Sequence, residues 1–191
     1  KLANVLDCFC QAAESLTARN ANNLSAEYAE KTLRLLVPIA KEYVEERSID
    51  LSAKMAEASS LCGKAIAISK TTGPHAMSYY LTSVLKWSHG EAVAFTFVYF
   101  LEKYRLFESK DDSIQRLFQL LNKILPDETT ESFFRSIGLE LSSRALEVIE
   151  SVDFTTWINS VNLERLTNGP KVDMTWLTKN EMEDYYKSLC K

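Results

Sequence analysis

A chain of 191 residues suits one domain with a sizeable core better than two small ones, since domains centre on roughly 100–200 residues. Its formal charge of -4, from 22 Lys+Arg against 26 Asp+Glu, offers no electrostatic attraction for nucleic acid or an anionic membrane, and both partner classes are set aside. Hydrophobic residues at 46% and charged residues at 25% exclude a disordered chain, and five glycines with four prolines are too few to punctuate a strand-and-turn protein, so the fold class is read as all-α.

The helical pattern starts at once. Leu2, Val5, Leu6, Phe9, Ala12, Ala13 and Leu16 recur at steps of three and four, which predicts a helix over Leu2 to Thr17. Neither an initiator Met nor an N-cap precedes it, and KLANVLDCFC lacks the blocks of a signal peptide; the expectation is a fragment of a longer polypeptide. ARNANN is a polar connection ending near Ser25, read as the N-cap of a second helix. That helix, SAEYAEKTLRLLVPIAKEYVEER, is expected to bend at Pro38. A third is expected from about Asp50, DLSAKMAEASSLCGKAIAIS. Its small residues Ala53, Ala56, Ala58, Ser59, Ser60, Gly63, Ala65 and Ala67 would let neighbours approach closely, and on that ground it is placed in the middle of the bundle.

KTTGP ends the third helix, and Pro74 suits the first turn of the next because that turn leaves its N–H unpaired anyway. His75 then lies on a first turn. AMSYYLTSVL continues the helix, KWSHG breaks it, and EAVAFTFVYFLEKY resumes as a buried helix, so His89 also lies at a helix start. Beyond Arg105, DDSIQRLFQLLNKIL, TESFFRSIGLELSSRALEVIE and KNEMEDYYKSLC read as amphipathic, and SVNLERLTNGPKVDMTW holds an Asn-Gly-Pro turn signal at 168–170. No run of about 18 apolar residues occurs. Cys8, Cys10, Cys62 and Cys190 form no CxxC pair, so reduced, cytoplasmic thiols are the simplest expectation.

His75 and His89 are the only two histidines in the chain. Two neutral imidazoles from separate helix starts, joined by a carboxylate from a third helix, make a common ligand set for a divalent transition metal with open positions. Asp7 and Glu14 of the first helix are the leading carboxylates, and Asp7 and Gln11, four apart, share one helical face. Spacing alone leaves the plainer readings open: a helical histidine is more often a satisfied or solvated residue than a ligand, and Asp7 alone would pass for an early-helix carboxylate answering the helix dipole.

GPHAMSYYLTSVLKWSHGEAVAF, with LDCFCQAAES at 6–15, resembles the iron-containing alcohol dehydrogenase family, where a HAMAH stretch is followed by HG and a small-residue run and where LDALTHAIES stands upstream. The similarity covers most of the chain and thins after Arg105. It implies the multi-helix bundle of the dehydroquinate synthase-like, iron-containing alcohol dehydrogenase C-terminal domain. Residues 1–191 would be its metal- and substrate-binding part, with the N-terminal dinucleotide-binding domain absent from this chain. No Gly-rich turn between a strand and a helix is found.

Carried over position by position, the resemblance implies metal ligation by Asp7, Gln11, His75 and His89, holding Fe2+ or Zn2+. Gln11 departs from the family, most of which has His there, and an amide oxygen is a harder, weaker ligand toward either ion. Tyr79 stands where many members have a second His near the nicotinamide, and is the implied catalytic donor or relay of a proton. These departures, with GKAIAISKTTGPHAMSY and VNLERLTNGP, are most similar to the phosphonoacetaldehyde reductase-like branch. That branch implies a small aldehyde substrate met by Lys70, Thr71 and Thr72; a helix stop with solvated side chains is the competing reading of those three. The implied activity is a metal-dependent, NAD(P)H-linked reduction of an aldehyde to an alcohol, which the isolated chain would not complete. Two alternatives are kept: a non-catalytic helical module with a degenerate metal site, and a glycerol-dehydrogenase-like or dehydroquinate synthase-like relative. A domain cut from its partner is also expected to expose an apolar patch around the first helix and to self-associate, a homodimer included.

Overall fold

The computed structural model of the chain describes residues 1–46 and 48–190. Among the described residues every regular element is helical, as composition required. Helix α1 spans Leu2–Thr17, α2 Asn23–Leu36, α3 Ala40–Glu45, α4 Ile49–Ser69, α5 Gly73–Val84 and α6 His89–Tyr104. The second half is more finely divided, into α7 Asp112–Ile124, α8 Thr130–Ser136, α9 Leu141–Ser151, α10 Phe154–Asn159, α11 Leu163–Thr167 and α12 Lys179–Leu189. None is long and apolar enough to cross a membrane, among the described residues.

Two helices form the centre. From Val5 to Thr17, α1 buries every residue but Asp7 and Gln11, and α6 buries Ala92 to Leu101 without a break. Helices α2, α4, α6 and α7 pack around α1. The apolar patch expected around the first helix is therefore not there among the described residues, whose exposed large hydrophobics are Leu24, Ile49, Tyr79, Val84, Leu106, Leu146 and Leu163, none of them in α1. Its apolar residues are spent on the bundle's own core.

Placing the third predicted helix in the middle was also wrong. Helix α4 buries Leu51, Met55, Ala58, Cys62, Ala65 and Ser69, a single stripe turned toward α2 and α1, while Ala53, Ala56, Ser59, Ser60, Gly63 and Ala67 face solvent. Nothing lies within 4 Å of where a Gly63 Cβ would stand. Small residues permit close approach but do not compel it: Ala58 and Ala65 are buried because they fall on the stripe begun by Leu51 and Met55, and the other small residues lie off it.

The local signals hold with two adjustments. The cap of α2 is Asn22, whose side chain accepts from the Ser25 backbone while the Ser25 hydroxyl accepts from the Asn22 backbone; Ser25 is the reciprocal partner in this capping box, not the cap itself. Pro38 sits in a 3-10 turn, Val37–Ile39, which separates α2 from α3. The pattern read over TESFFRSIGLELSSRALEVIE is two helices, because Gly138 turns the chain at φ +108 between α8 and α9.

The segment after Val152 is fastened to the core by aromatic residues. Trp157 is fully buried and donates its indole N–H to the Met77 carbonyl at 2.8 Å. Tyr186 of α12 stacks on Phe95 of α6, with centroids 4.5 Å apart and planes 10° from parallel. Tyr99 donates its hydroxyl to the Trp176 carbonyl at 2.8 Å.

Candidate metal centre and adjoining cleft

Side chains on a helix lean toward its N-terminus, so the first-turn residues His75 of α5 and His89 of α6 reach past the starts of their helices. What they reach is α1. Two glycines set the approach. A Cβ on Gly90 would lie 1.9 Å from the Ala3 carbonyl oxygen, and one on Gly73 would lie 2.3 Å from Phe100 Cε1. Helix α6 thus begins directly against the first turn of α1, one turn before Asp7, and α5 begins against α6. Thr96 Oγ1 locks the second contact by donating to the Pro74 carbonyl at 2.8 Å.

Asp7 Oδ1 consequently stands 3.2 Å from His75 Nε2 and 3.7 Å from His89 Nε2. One ligand atom from each of the three residues lies within 4.8 Å of the others. Ligand atoms about 2.0–2.2 Å from one ion stand about 3–4 Å apart, and both separations from Asp7 fall in that range, so the trio is arranged to close on a single cation. The two imidazole rings are 5.4 Å apart and edge to face.

Glu14, weighed with Asp7 as a carboxylate ligand, has a different place. It is 1% exposed, its Oε1 lies 2.5 Å from His75 Nδ1, and its Oε2 accepts from the Thr72 backbone N–H at 2.7 Å and the Thr72 hydroxyl at 2.8 Å. Glu14 therefore draws the Nδ1 proton toward itself and leaves Nε2 facing Asp7, the arrangement that fixes tautomer and ring direction in metal-binding histidines. Burial works against charge on His75, but Glu14 and then Asp7 outweigh it and raise its pKa to about 9. Without an ion, His75 carries both protons at neutral pH; a cation must displace the one on Nε2. For His89, burial outweighs the pull of Asp7 and holds the pKa below its ordinary value, so its ring is neutral and ready to ligate.

Gln11 lies beside the trio with its amide already engaged. Its Nε2 donates to Asp7 Oδ2 at 3.0 Å, and its Oε1 accepts from the Cys62 thiol at 3.2 Å. The amide nitrogen, not the oxygen, is turned to the centre. Tyr79 stacks on His89 with centroids 5.8 Å apart and planes 9° from parallel, and its hydroxyl accepts from Arg165 Nη1 at 2.8 Å.

Beyond Tyr79 opens a cavity of ≈ 470 Å³ lined by Lys70, Thr71, Arg165 and Asn168 among others. Lys70 has backbone angles φ 61 and ψ 170, a region nearly confined to glycine and costing about 1–3 kcal/mol. Asn168 holds it there: its Nδ2 donates to the carbonyls on either side, Ser69 at 2.9 Å and Thr71 at 3.1 Å. The three residues expected to meet substrate are thus separated. Lys70 and Thr71 line the cavity, whereas Thr72 is fully buried and committed to Glu14.

Arg165 and Asn168 were not singled out from sequence. Asn168 showed only as part of a turn signal, and Arg165, on the five-residue α11, had no periodicity to distinguish it from a solvated cation.

The model for the family described as Fe-containing alcohol dehydrogenase family, C-terminal, matches residues 1–156. Solved structures of similar fold include an alcohol dehydrogenase from Oenococcus oeni, 19% identical with a TM-score of 0.79, covering 98% of this chain and 51% of that one. A sulfoacetaldehyde reductase from Bifidobacterium kashiwanohense, solved in complex with NAD+, is 21% identical with a TM-score of 0.76, over 100% of this chain and 50% of that one. An iron-containing alcohol dehydrogenase from Thermotoga maritima is 19% identical with a TM-score of 0.71, over 97% and 48%. The chain spans about half the length of the solved structures it matches.

Proposed function

The chain belongs to the Fe-containing alcohol dehydrogenase family, of which it carries the C-terminal domain, and from that premise we propose that it is the metal- and substrate-binding half of an NAD(P)-linked aldehyde reductase. The observation that carries this reading is the convergence of Asp7, His75 and His89, with Glu14 Oε1 at His75 Nδ1 turning Nε2 toward Asp7. Asp7, His75 and His89 would hold Fe2+ or Zn2+, and Gln11 would join them only by turning its amide oxygen inward. A divalent ion so held supplies Lewis acidity toward a carbonyl oxygen on which negative charge develops.

The chain's own residues supply position and a proton. Tyr79 Oη accepts from Arg165, so its O–H is free to donate toward the substrate oxygen beside His89. Lys70 and Thr71 border the space where the rest of the substrate lies, and the resemblance in the KTT and NLERLTNGP blocks favours phosphonoacetaldehyde or a similar small aldehyde. The hydride donor, NADH or NADPH, would come with a dinucleotide-binding domain, since no strand, and hence no strand–turn–helix cradle, occurs among the described residues. The chain alone would be inactive in hydride transfer, and cytoplasmic residence fits its reduced cysteines.

Gln11, with its oxygen held by Cys62, favours a second reading, a helical module whose centre no longer retains an ion. Metal analysis separates the two. After dialysis against Fe2+ or Zn2+ at neutral pH, the enzymatic reading expects about one ion per chain and a loss of roughly 10- to 100-fold or more in affinity on His75→Ala. A chain that retains no more ion than His75→Ala does would leave the degenerate module standing.

A further inference from the structure

Asp7 divides the work of its two carboxylate oxygens. Oδ1 faces the imidazoles, 3.2 Å from His75 Nε2 and 3.7 Å from His89 Nε2, while Oδ2 accepts from Gln11 Nε2 at 3.0 Å. An ionised carboxylate can only accept, so the end of the amide that meets it must be the NH2, and the amide oxygen must point elsewhere. It points to the thiol of Cys62, a residue of α4 only 1% exposed, at 3.2 Å. The Cys8 carbonyl, at 3.4 Å, is the second acceptor for that thiol. Turning the amide oxygen toward a cation would give up both of the bonds Gln11 makes. Asp7 Oδ2 would lose its donor, and the NH2 would be set against sulfur, a weak acceptor.

Resting on the reading above, we propose that Gln11 is not a ligand of the metal but a positioning residue, anchored by Cys62, that holds Asp7 to a single ligating oxygen. The protein then offers a cation three side chains, from α1, α5 and α6, and α4 joins the site through a buried thiol that the sequence gives no reason to notice. At a position where the resemblance implies a fourth ligand, the amide keeps its place beside the centre and changes its task, offering an N–H to the carboxylate instead of a lone pair to the ion. Three protein ligands leave the ion an open position for substrate or water, which a fourth would narrow.

The test is Zn2+ titration, followed by calorimetry at neutral pH, of the native chain, Cys62→Ala, Cys62→Ser, Gln11→Ala and the double variant Gln11→Ala/Cys62→Ala. Cys62→Ala, which releases the amide oxygen, should weaken uptake roughly 10-fold. Cys62→Ser restores a donor and should return uptake to within about threefold of the native chain; serine would not rescue a lost thiolate ligand or a lost packing contact. Because Cys62 acts through Gln11, the double variant should match Gln11→Ala to within about twofold. Uptake by Cys62→Ala as tight as the native chain's, or tighter, would mean that the released oxygen ligates, and would overturn the proposal; so would a serine variant no better than alanine, or a double variant clearly weaker than Gln11→Ala. Those results leave the enzymatic reading in place, whereas a native chain that takes up no Zn2+ removes that reading and the proposal with it.

Discussion

His75 lies between two carboxylates, 2.5 Å from Glu14 and 3.2 Å from Asp7, and that placement couples its proton to stability. In the metal-free chain its pKa of about 9 exceeds the ordinary value near 6.5. The stabilisation is therefore fully present below pH about 6.5 and lost as pH rises through about 9, on the order of 3 kcal/mol. Urea unfolding of the metal-free chain across that window should show the decline, and Glu14→Gln should flatten it; a profile that rises over the same range would contradict the arrangement. His75 and His89 stood out as the two histidines of the chain, each at a helix start, and Asp7 as one of two leading carboxylates of the first helix; their joining into one ligand set was implied by the family resemblance. The role of Glu14 was not legible, since a carboxylate seven residues after Asp7 carries no mark in sequence of which imidazole nitrogen it will meet.

Helix starts meet helix faces here through glycine. Alanine at Gly90 would ordinarily gain about 1 kcal/mol within a helix, yet its Cβ would fall 1.9 Å from a backbone oxygen that cannot swing aside. Gly90→Ala is expected to destabilise the chain by about 1–3 kcal/mol or more and to weaken metal uptake, by pushing His89 away from Asp7. Thermal unfolding alongside metal titration checks both, and a stabilised variant would mean that α1 and α6 stand farther apart. The same elements explain an error in placing them. Small residues in α4 and apolar ones in α1 and α6 all signal burial, but which helix becomes central depends on how many neighbours it acquires, and periodicity describes one helix at a time.

The bundle closes through its last third. The family match ends at residue 156, yet Trp157 is fully buried against α5, and Tyr186 stacks on both Phe95 and Trp157. Trp157→Ala should cost about 3–5 kcal/mol in urea unfolding, against about 0.5 kcal/mol or less for Leu163→Ala, which is 71% exposed. Equal effects would mean that this segment does not complete the core. The same segment brings Arg165 and Asn168 to the cleft, from a stretch that composition presents as polar connection.

Helical class, the bounds of α1, the bend at Pro38 and two histidines at helix starts were written in the sequence, because periodicity, capping and residue chemistry act over a few neighbours. Which nitrogen of His75 faces the centre, where the amide of Gln11 turns, and that Arg165 stands beside Tyr79 were decided only by packing. Each depends on atoms brought together from distant parts of the chain, and a contact of that kind leaves no period for a sequence to display.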